Sequence, residues 1–505
     1  MVTAEQMRQI ESHLFSAGMP VSALMEKVGG LIARRVQALY PQETFSKVGV
    51  LVGPGHNGGD ALVVARELWF QGYEVQVFRP YSRAKALTQQ HAQYLAHLGV
   101  PIIEEVQDLS ACELIIDGLF GFGLERPLSG EIELIIQQIN RWPQPILSID
   151  LPSGLHTDTG AVLGTAIEAS HTLCLGLWKL GLLQDPALPY IGIAELIDFD
   201  LPWADIIAVL GDEPQLQRIT PGNAISALPL PRPLMTHKYQ QGHLLLIGGS
   251  QRYAGSIVLA GLGAQAAGVG MLSLAVPASL KSLVVNYLPD ALIIACPETA
   301  LGAIAHLPST IELTNYDLIA YGPGVTTETS AVLAALLASD RPLVLDADGL
   351  NLLAQGDAVA MLQARSLWTV LTPHPGEFKR LFPGLVPQLS EPVRAAAAAA
   401  QMTGATVVLK GARVAIANPR GRVWINPDST PALARGGSGD VLTGLMGSLL
   451  ATVCRQSPEP TAVIPSAVWW HAQAGIGAAQ HCTELGVDAL TLTQYLRPAL
   501  RAALT

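Results

Sequence analysis

Charge is scarce in this chain. Asp, Glu, Lys and Arg make up 14% of the 505 residues, against 50% apolar ones. That ratio excludes extensive disorder, which goes with high net charge and little hydrophobicity. Basic residues are the scarcer sign: 30 Lys and Arg face 41 Asp and Glu, a net charge of −11. Nucleic acid is therefore not an expected partner, because a phosphate backbone calls for a basic face. The five cysteines (Cys112, Cys174, Cys296, Cys454, Cys482) are scattered, odd in number and never spaced C-x-x-C. This argues against a disulfide framework or a zinc site and fits a reducing cytoplasm. From Met1 to Tyr40 the order of a signal peptide is missing. Short-period repeats are missing too.

One uncharged run, Tyr253 to Leu280, has the length of a membrane span. Five glycines between Gly255 and Gly270, and Pro277 near its end, mark a glycine-rich loop, a buried helix and a strand instead. No membrane partner is expected. What the chain has in quantity is glycine (48) and proline (35), which suits compact α/β domains with many tight turns. Strands at Val48–Val52, Glu74–Phe78, Glu113–Asp117 and Pro145–Asp150 alternate with helical stretches. The alternation predicts a parallel sheet covered on both faces, a Rossmann-like three-layer α/β/α domain. Six prolines between Leu201 and Leu234 place a boundary near residue 220, giving domains 1–220 and 221–505. The pattern restarts with Leu244–Ile247, Asp317–Tyr321, Pro342–Asp346, Trp368–Leu371 and Thr406–Lys410. Arg413–Ala417 and Arg422–Ile425 read as a hairpin at the sheet edge.

The densest chemistry is Gly436-Gly437-Ser438-Gly439-Asp440, followed by apolar residues at helical spacing. Such a loop crowds backbone N–H groups at a helix start, which suits phosphate, and Asp440 can take a proton from a substrate hydroxyl. Taken singly this is a turn with an aspartate cap. It is accompanied, however, by Gly248–Ser256, Gly322-Pro323-Gly324, Asp346-Ala347-Asp348-Gly349, Thr372-Pro373-His374-Pro375-Gly376-Glu377 and Lys410-Gly411-Ala412. Each of these also follows a strand. In the first half Gly53-Pro54-Gly55-His56-Asn57-Gly58-Gly59-Asp60, Asp117–Leu124 and Asp150-Leu151-Pro152-Ser153-Gly154 do the same. Ligands of open parallel sheets bind beyond such strand ends.

The first-half motifs resemble the nicotinamide-nucleotide hydrate epimerase domain, whose pattern runs G-P-G-N-N-G-G-D-G, D-x-L-F-G-x-G and D-x-P-S-G. Over most of residues 1–220 the likeness also takes in Ala23–Glu26 and Lys179-Leu180-Gly181. It implies a potassium ion on Asn57, Asp117 and Ser153, with Asp150 as the acid/base carboxylate. The hydrate would lie against His56, Asn57, Gly58, Gly59, Asp60, Gly121, Phe122, Gly123 and Asp150. His56 stands where the pattern has asparagine, and Ala61 where it has its last glycine.

The second-half motifs, over roughly residues 225–500, resemble the nicotinamide-nucleotide hydrate dehydratase family of ribokinase-like fold. The resemblance implies that Ser256, Gly324, His374 and Asp440 contact the hydrate, while Lys410, Gly411, Ala412, Arg413, Val414 and Gly439 hold the adenine nucleotide. Tyr239 and Val414 depart from the family's usual glycine and threonine. ADP as phosphoryl donor, Mg²⁺ as helper, NADHX and NADPHX as substrates, and AMP with phosphate as products are implied likewise; the residues alone do not separate ADP from ATP. A ribokinase-like kinase for a hydroxymethylpyrimidine or thiazole alcohol, with a non-catalytic N-terminal binding domain, is the alternative. Self-association is expected of so apolar a chain.

Overall fold

The structure is a computed structural model that describes residues 1–505. Contacts divide it into two compact units, Met1–Pro214 and Gln215–Thr505. The division falls before the proline-rich stretch ends, because Leu216–Arg218 is a strand of the second unit's sheet.

Unit 1 opens with α1 (Ala4–Ser16), whose N-terminus is closed by a capping box between Thr3 and Gln6. Its inward face is Ala4, Met7 and Ile10. Then come α2 (Val21–Leu39), α3 (His56–Phe70), α4 (Ala86–His97) and α5 (Glu131–Ile139). The sheet strands are β1 (Lys47–Val52), β2 (Glu74–Phe78), β3 (Ile102–Ile103), β4 (Leu114–Gly118), β5 (Ile146–Ile149), β6 (His171–Leu175) and β7 (Ile193–Ile197). They are all parallel, in the order β3-β2-β1-β4-β5-β6-β7. The order reverses between β1 and β4, and a crevice opens where the loops after those strands part to opposite faces. Gly53 closes the β1 end: a Cβ there would lie 1.7 Å from the Leu119 carbonyl oxygen.

Unit 2 has ten strands: β8 (Leu216–Arg218), β9 (His243–Ile247), β10 (Met271–Pro277), β11 (Leu292–Cys296), β12 (Leu318–Tyr321), β13 (Leu343–Leu345), β14 (Thr369–Leu371), β15 (Thr406–Leu409), β16 (Val414–Ala417) and β17 (Val423–Asn426). Their order is β11-β10-β9-β12-β13-β14-β15-β16-β17-β8, reversing between β9 and β12. The β16–β17 hairpin is antiparallel as expected, but it is not the edge: β8 pairs with β17 in parallel. A three-residue strand, half-buried throughout, carried no periodic signal.

The uncharged run becomes α6 (Ala254–Ala267) and β10, and no helix is long and apolar enough to cross a membrane. The helix opened by the glycine loop, α7 (Ser438–Val453), packs against α6 with backbone nearly on backbone. A Cβ on Gly444 would lie 1.7 Å from the Ala260 carbonyl oxygen, and one on Gly263 would lie 2.3 Å from that of Val441. Each helix thus lends the other a groove that a methyl would fill. Helices α8 (Ile464–Gly486) and α9 (Ala489–Leu504) complete the core on that side, with Trp469 and Trp470 buried. Overpacked cores lose stability through forced backbone shifts. Gly444→Ala is therefore expected to cost unit 2 about 3 kcal/mol or more, measured as a lowered urea midpoint.

Candidate active sites

In unit 1 the predicted residues converge on a cleft of about 540 Å³. His56, Asn57, Asp60, Gly121, Phe122, Gly123 and Asp150 all line it. Gly58 and Gly59 are buried in the first turn of α3. Asp150 is the central group. It adopts φ +70°, an uncommon backbone state for a residue with a side chain. Its Oδ1 sits 2.6 Å from Lys179 Nζ, and its Oδ2 accepts the Phe122 N–H at 2.8 Å. Lys179 is wholly buried. Burial opposes its charge, but Asp150 next to it wins and holds its pKa above the usual lysine range.

Asp117 and Ser153 lie beneath the cleft. Asp117 is fully buried and accepts four hydrogen bonds, from Ser153 Oγ (2.6 Å), Ser153 N, Ser148 Oγ and Leu119 N. Burial nevertheless raises its pKa despite those donors, and no cationic side chain pairs with it. Asn57 comes from a distant part of the chain and lies beside Gly118 and Gly121 in space, but it is bonded to neither Asp117 nor Ser153; its buried Nδ2 has no partner. Of the two departures from the epimerase pattern, Ala61 is buried with its Cβ 2.3 Å from where Gly118 would carry one. His56 is exposed, and burial of its ring edge together with Lys85 lowers its pKa.

In unit 2, β13, β14 and β15 are neighbours, so Asp346, Thr372 with His374, and Lys410 stand side by side at their ends. Asp346 Oδ1 accepts from Lys410 Nζ at 2.7 Å and from Thr372 Oγ1 at 2.8 Å; its Oδ2 accepts from Thr443 Oγ1 at 2.8 Å. Burial would raise the Asp346 pKa, but Lys410 and the two threonines more than offset it and hold it low. Lys410 is therefore ion-paired within the protein as well as pointed at the loop: a Cβ on Gly439 would be 3.4 Å from its Nζ. Thr443 lies one turn beyond Asp440, so the same pair anchors the helix that carries the aspartate.

Asp440 itself is half-buried. Burial and the neighbouring charge of Asp346 raise its pKa to about 7, against a hydrogen bond from Ser256 and the charge of Lys410. Ser256 and Gly324 adjoin: a Cβ on Gly324 would lie 3.2 Å from Ser256 Cβ. His374 caps the helix Pro375–Leu381, its Nδ1 accepting the Gly376 N–H at 2.9 Å while Glu377 accepts from the His374 N–H. Gly411 and Ala412 are exposed in the β15–β16 turn, and Arg413 and Val414 are half-buried.

Sequence reasoning assigned no role to Glu11, Lys179, Asp346, Thr443 or His471. His471 is buried behind the glycine loop, where Nε2–H donates to the Ser438 carbonyl at 3.0 Å and burial lowers its pKa to about 4. Glu11 follows the inward Ile10 on α1, and a carboxylate beside that face was the available signal.

Residues 244–498 match the family model described as NAD(P)H-hydrate dehydratase, and residues 21–181 the one described as YjeF-related protein N-terminus. The chain is 53% identical to the bifunctional NAD(P)H-hydrate repair enzyme Nnr of Thermosynechococcus vestitus, over 100% of this chain and 98% of that one. It is 52% identical to the Nnr of Synechocystis sp., over 99% and 94%. A solved ADP/ATP-dependent NAD(P)H-hydrate dehydratase from Bacillus subtilis, co-crystallised with ATP/Mg²⁺, is 30% identical; it covers 57% of this chain and 98% of its own length, with a TM-score of 0.49.

Removing one partner of a buried ion pair strands the other charge. Lys179→Met should cost unit 1 about 3–5 kcal/mol, seen as faster amide hydrogen exchange in β5 and β6.

Proposed function

The chain belongs to the bifunctional NAD(P)H-hydrate repair enzymes, and from that premise we propose how its residues divide the work. One half interconverts the R and S hydrates of NADH and NADPH; the other dehydrates the S form at the expense of ADP. Identity over the whole length disfavours the small-molecule kinase reading.

For the dehydratase, the observation that carries the assignment is a carboxylate titrating near neutrality at a helix start: Asp440, with a pKa of about 7. In this reading Asp440 takes the proton of the C6 hydroxyl as that oxygen attacks the terminal phosphoryl of ADP. The backbone N–H groups of Gly437 and Gly439 then stabilise the charge spreading over the phosphoryl oxygens, the Ser438 N–H being taken by the Arg435 carbonyl. Lys410, held at the loop by Asp346, supplies fixed positive charge beneath Gly439. Gly411, Ala412, Arg413 and Val414 border the nucleotide on the adjoining turn. Ser256, Gly324 and His374 orient the hydrate. The β-phosphoryl bond to AMP breaks as it transfers; the ring nitrogen lone pair then expels phosphate from C6 as an N1–C6 iminium forms, and loss of the C5 proton to the departing phosphate restores the C5–C6 double bond of the dihydronicotinamide. No cluster of three carboxylate, histidine or cysteine side chains is built to hold a metal. Mg²⁺ carried by the phosphates of the nucleotide would neutralise charge on the transferring phosphoryl.

For the epimerase, Asp150 is the proton-transfer carboxylate, oriented by Lys179 and the Phe122 N–H. Asn57, Asp117 and Ser153 fit a potassium ion. Their ligating atoms are all oxygens, the buried Asp117 charge has no cationic partner, and the unpartnered Asn57 Nδ2 leaves that amide free to turn its oxygen inward. When bound, the ion would neutralise Asp117 and stiffen the loop that carries Gly121–Gly123.

A mixed hydrate preparation should yield NAD(P)H absorbance only with ADP, and purified R hydrate should be repaired faster than it epimerises spontaneously. Asp150→Asn removes that second advantage, whereas S-hydrate repair continues. Asp440→Asn should lower dehydration about 10²–10⁴-fold; repair at the former rate would refute the role. Because the base must be ionised, wild-type kcat/KM for dehydration should fall as pH drops through about 7. The linkage runs the other way for stability. A carboxylate whose folded pKa exceeds its unfolded value near 3.8 stabilises least above about pH 7. Asp440→Asn should therefore raise the unfolding temperature at pH 8 and leave it unchanged near pH 3.

A further inference from the structure

Inverting a hydroxyl-bearing ring carbon through a planar cation requires two proton transfers on opposite faces. One group protonates the departing hydroxyl while another deprotonates the entering water, as in sugar-inverting hydrolases. Asp150, with one oxygen 2.6 Å from Lys179 Nζ and the other on the Phe122 N–H, is one carboxylate and serves one face. The cleft of unit 1 holds a second carboxyl that nothing above employs: Glu11, on α1, lines the same cavity as Asp150. It comes from a helix and not from a strand-end loop. No hydrogen bond to the protein occupies it, although it is half-buried. The charged and titratable groups around it are Lys179, Asp150 and Lys85, with Arg8, Asp60 and His56 further along the cleft.

We propose that Glu11 is the second catalytic residue of the epimerase, the acid that protonates the departing C6 hydroxyl while Asp150 serves the entering water. The assignment rests on reading unit 1 as the epimerase. Glu11 passes its carboxyl proton to the C6 oxygen, the C–O bond breaks and water leaves. The ring nitrogen lone pair forms the N1–C6 double bond. A water molecule on the other face then bonds to C6, giving its proton to the Asp150 carboxylate as the double-bond electrons return to N1. One proton has moved from Glu11 to Asp150, and exchange with solvent resets both. The environment suits the role: burial, with Asp150 adding to it against Lys179, raises the Glu11 pKa to about 7, so the group can cycle near neutral pH. Asp60 is less apt, because burial and two neighbouring carboxylates push its pKa well above the usual range, leaving a proton it gives up reluctantly.

The test uses the full chain with R hydrate and no ADP, following R-to-S conversion by chromatography from pH 6 to 9. Wild-type kcat should fall above about pH 7, where Glu11 loses its proton. Glu11→Gln should lower kcat about 10²-fold or more, leave KM within about threefold, and abolish the fall at high pH. Glu11→Asp should recover part of both rate and pH dependence, and ADP-driven repair of S hydrate should be unchanged in either variant. A Glu11→Gln enzyme that keeps its kcat, or keeps the high-pH fall, overturns the proposal. Should Glu11→Gln lose the exchange protection of the sheet, Glu11→Asp decides: a folded variant with lowered kcat and a high-pH fall displaced from the wild-type position supports the role, and one with wild-type kcat and pH profile refutes it. Wild-type protein that never outpaces spontaneous conversion would instead sink the reading of unit 1.

Discussion

Both units depend on the same arrangement, an aspartate at a strand end held by a lysine delivered from a later strand end. Asp150 and Lys179 are 2.6 Å apart in one, Asp346 and Lys410 2.7 Å apart in the other. Burying such a pair brings little net stability, because desolvation consumes most of the Coulomb attraction. What it does supply is position. The lysine cannot wander, the carboxylate cannot rotate, and the loops that hydrogen-bond to them inherit one geometry. Around Asp150 this fixes Phe122 and hence the glycine turn after β4; around Asp346 it fixes Thr443 and hence the start of α7.

From those fixed charges the chemistry follows by proximity. Asp440 is held near enough to Asp346 for its ionisation to be resisted, and near enough to Ser256 and Lys410 for the resistance to be limited. A group balanced in this way can take a proton in one step and release it in the next. The arrangement weakens the fold wherever the carboxylate is ionised, a cost that recurs at sites selected for reactivity. His471 contributes from behind. Held neutral by burial, it gives its one proton to the Ser438 carbonyl and so fixes the loop from the core side.

The glycine-rich turns could be located from the chain alone because each follows an apolar run, and a parallel sheet sends such turns to one edge. Asp117, Asp150, Lys410 and Asp440 were legible for that reason. The lysine that holds Asp150 was not, because its partner lies on a different strand and no spacing rule links the two. Glu11 lies in a helix that precedes the first strand, and only its place beside the inward Ile10 set it apart from the surface glutamates. Short strands were equally hard to see: β3 has two residues and β8 three, with too few alternations to show a period. The proline cluster marked a boundary in composition, but β8 had already joined the second sheet, so proline density overshot the division by a few residues.

The meeting of Ala61 and Gly118 carries an evolutionary consequence. Their β-positions lie 2.3 Å apart, room for one methyl and not for two. The epimerase pattern puts glycine at the first of these sites and leaves the second open; this chain has the methyl at the first and none at the second. Neither site can change alone toward a larger side chain, so drift at one is conditional on the other. Glycine at position 61 would remove the tightest of the contacts at position 118, leaving the backbone oxygens of Leu51 and Asn57 at 3.1 and 3.3 Å as the remaining limit there.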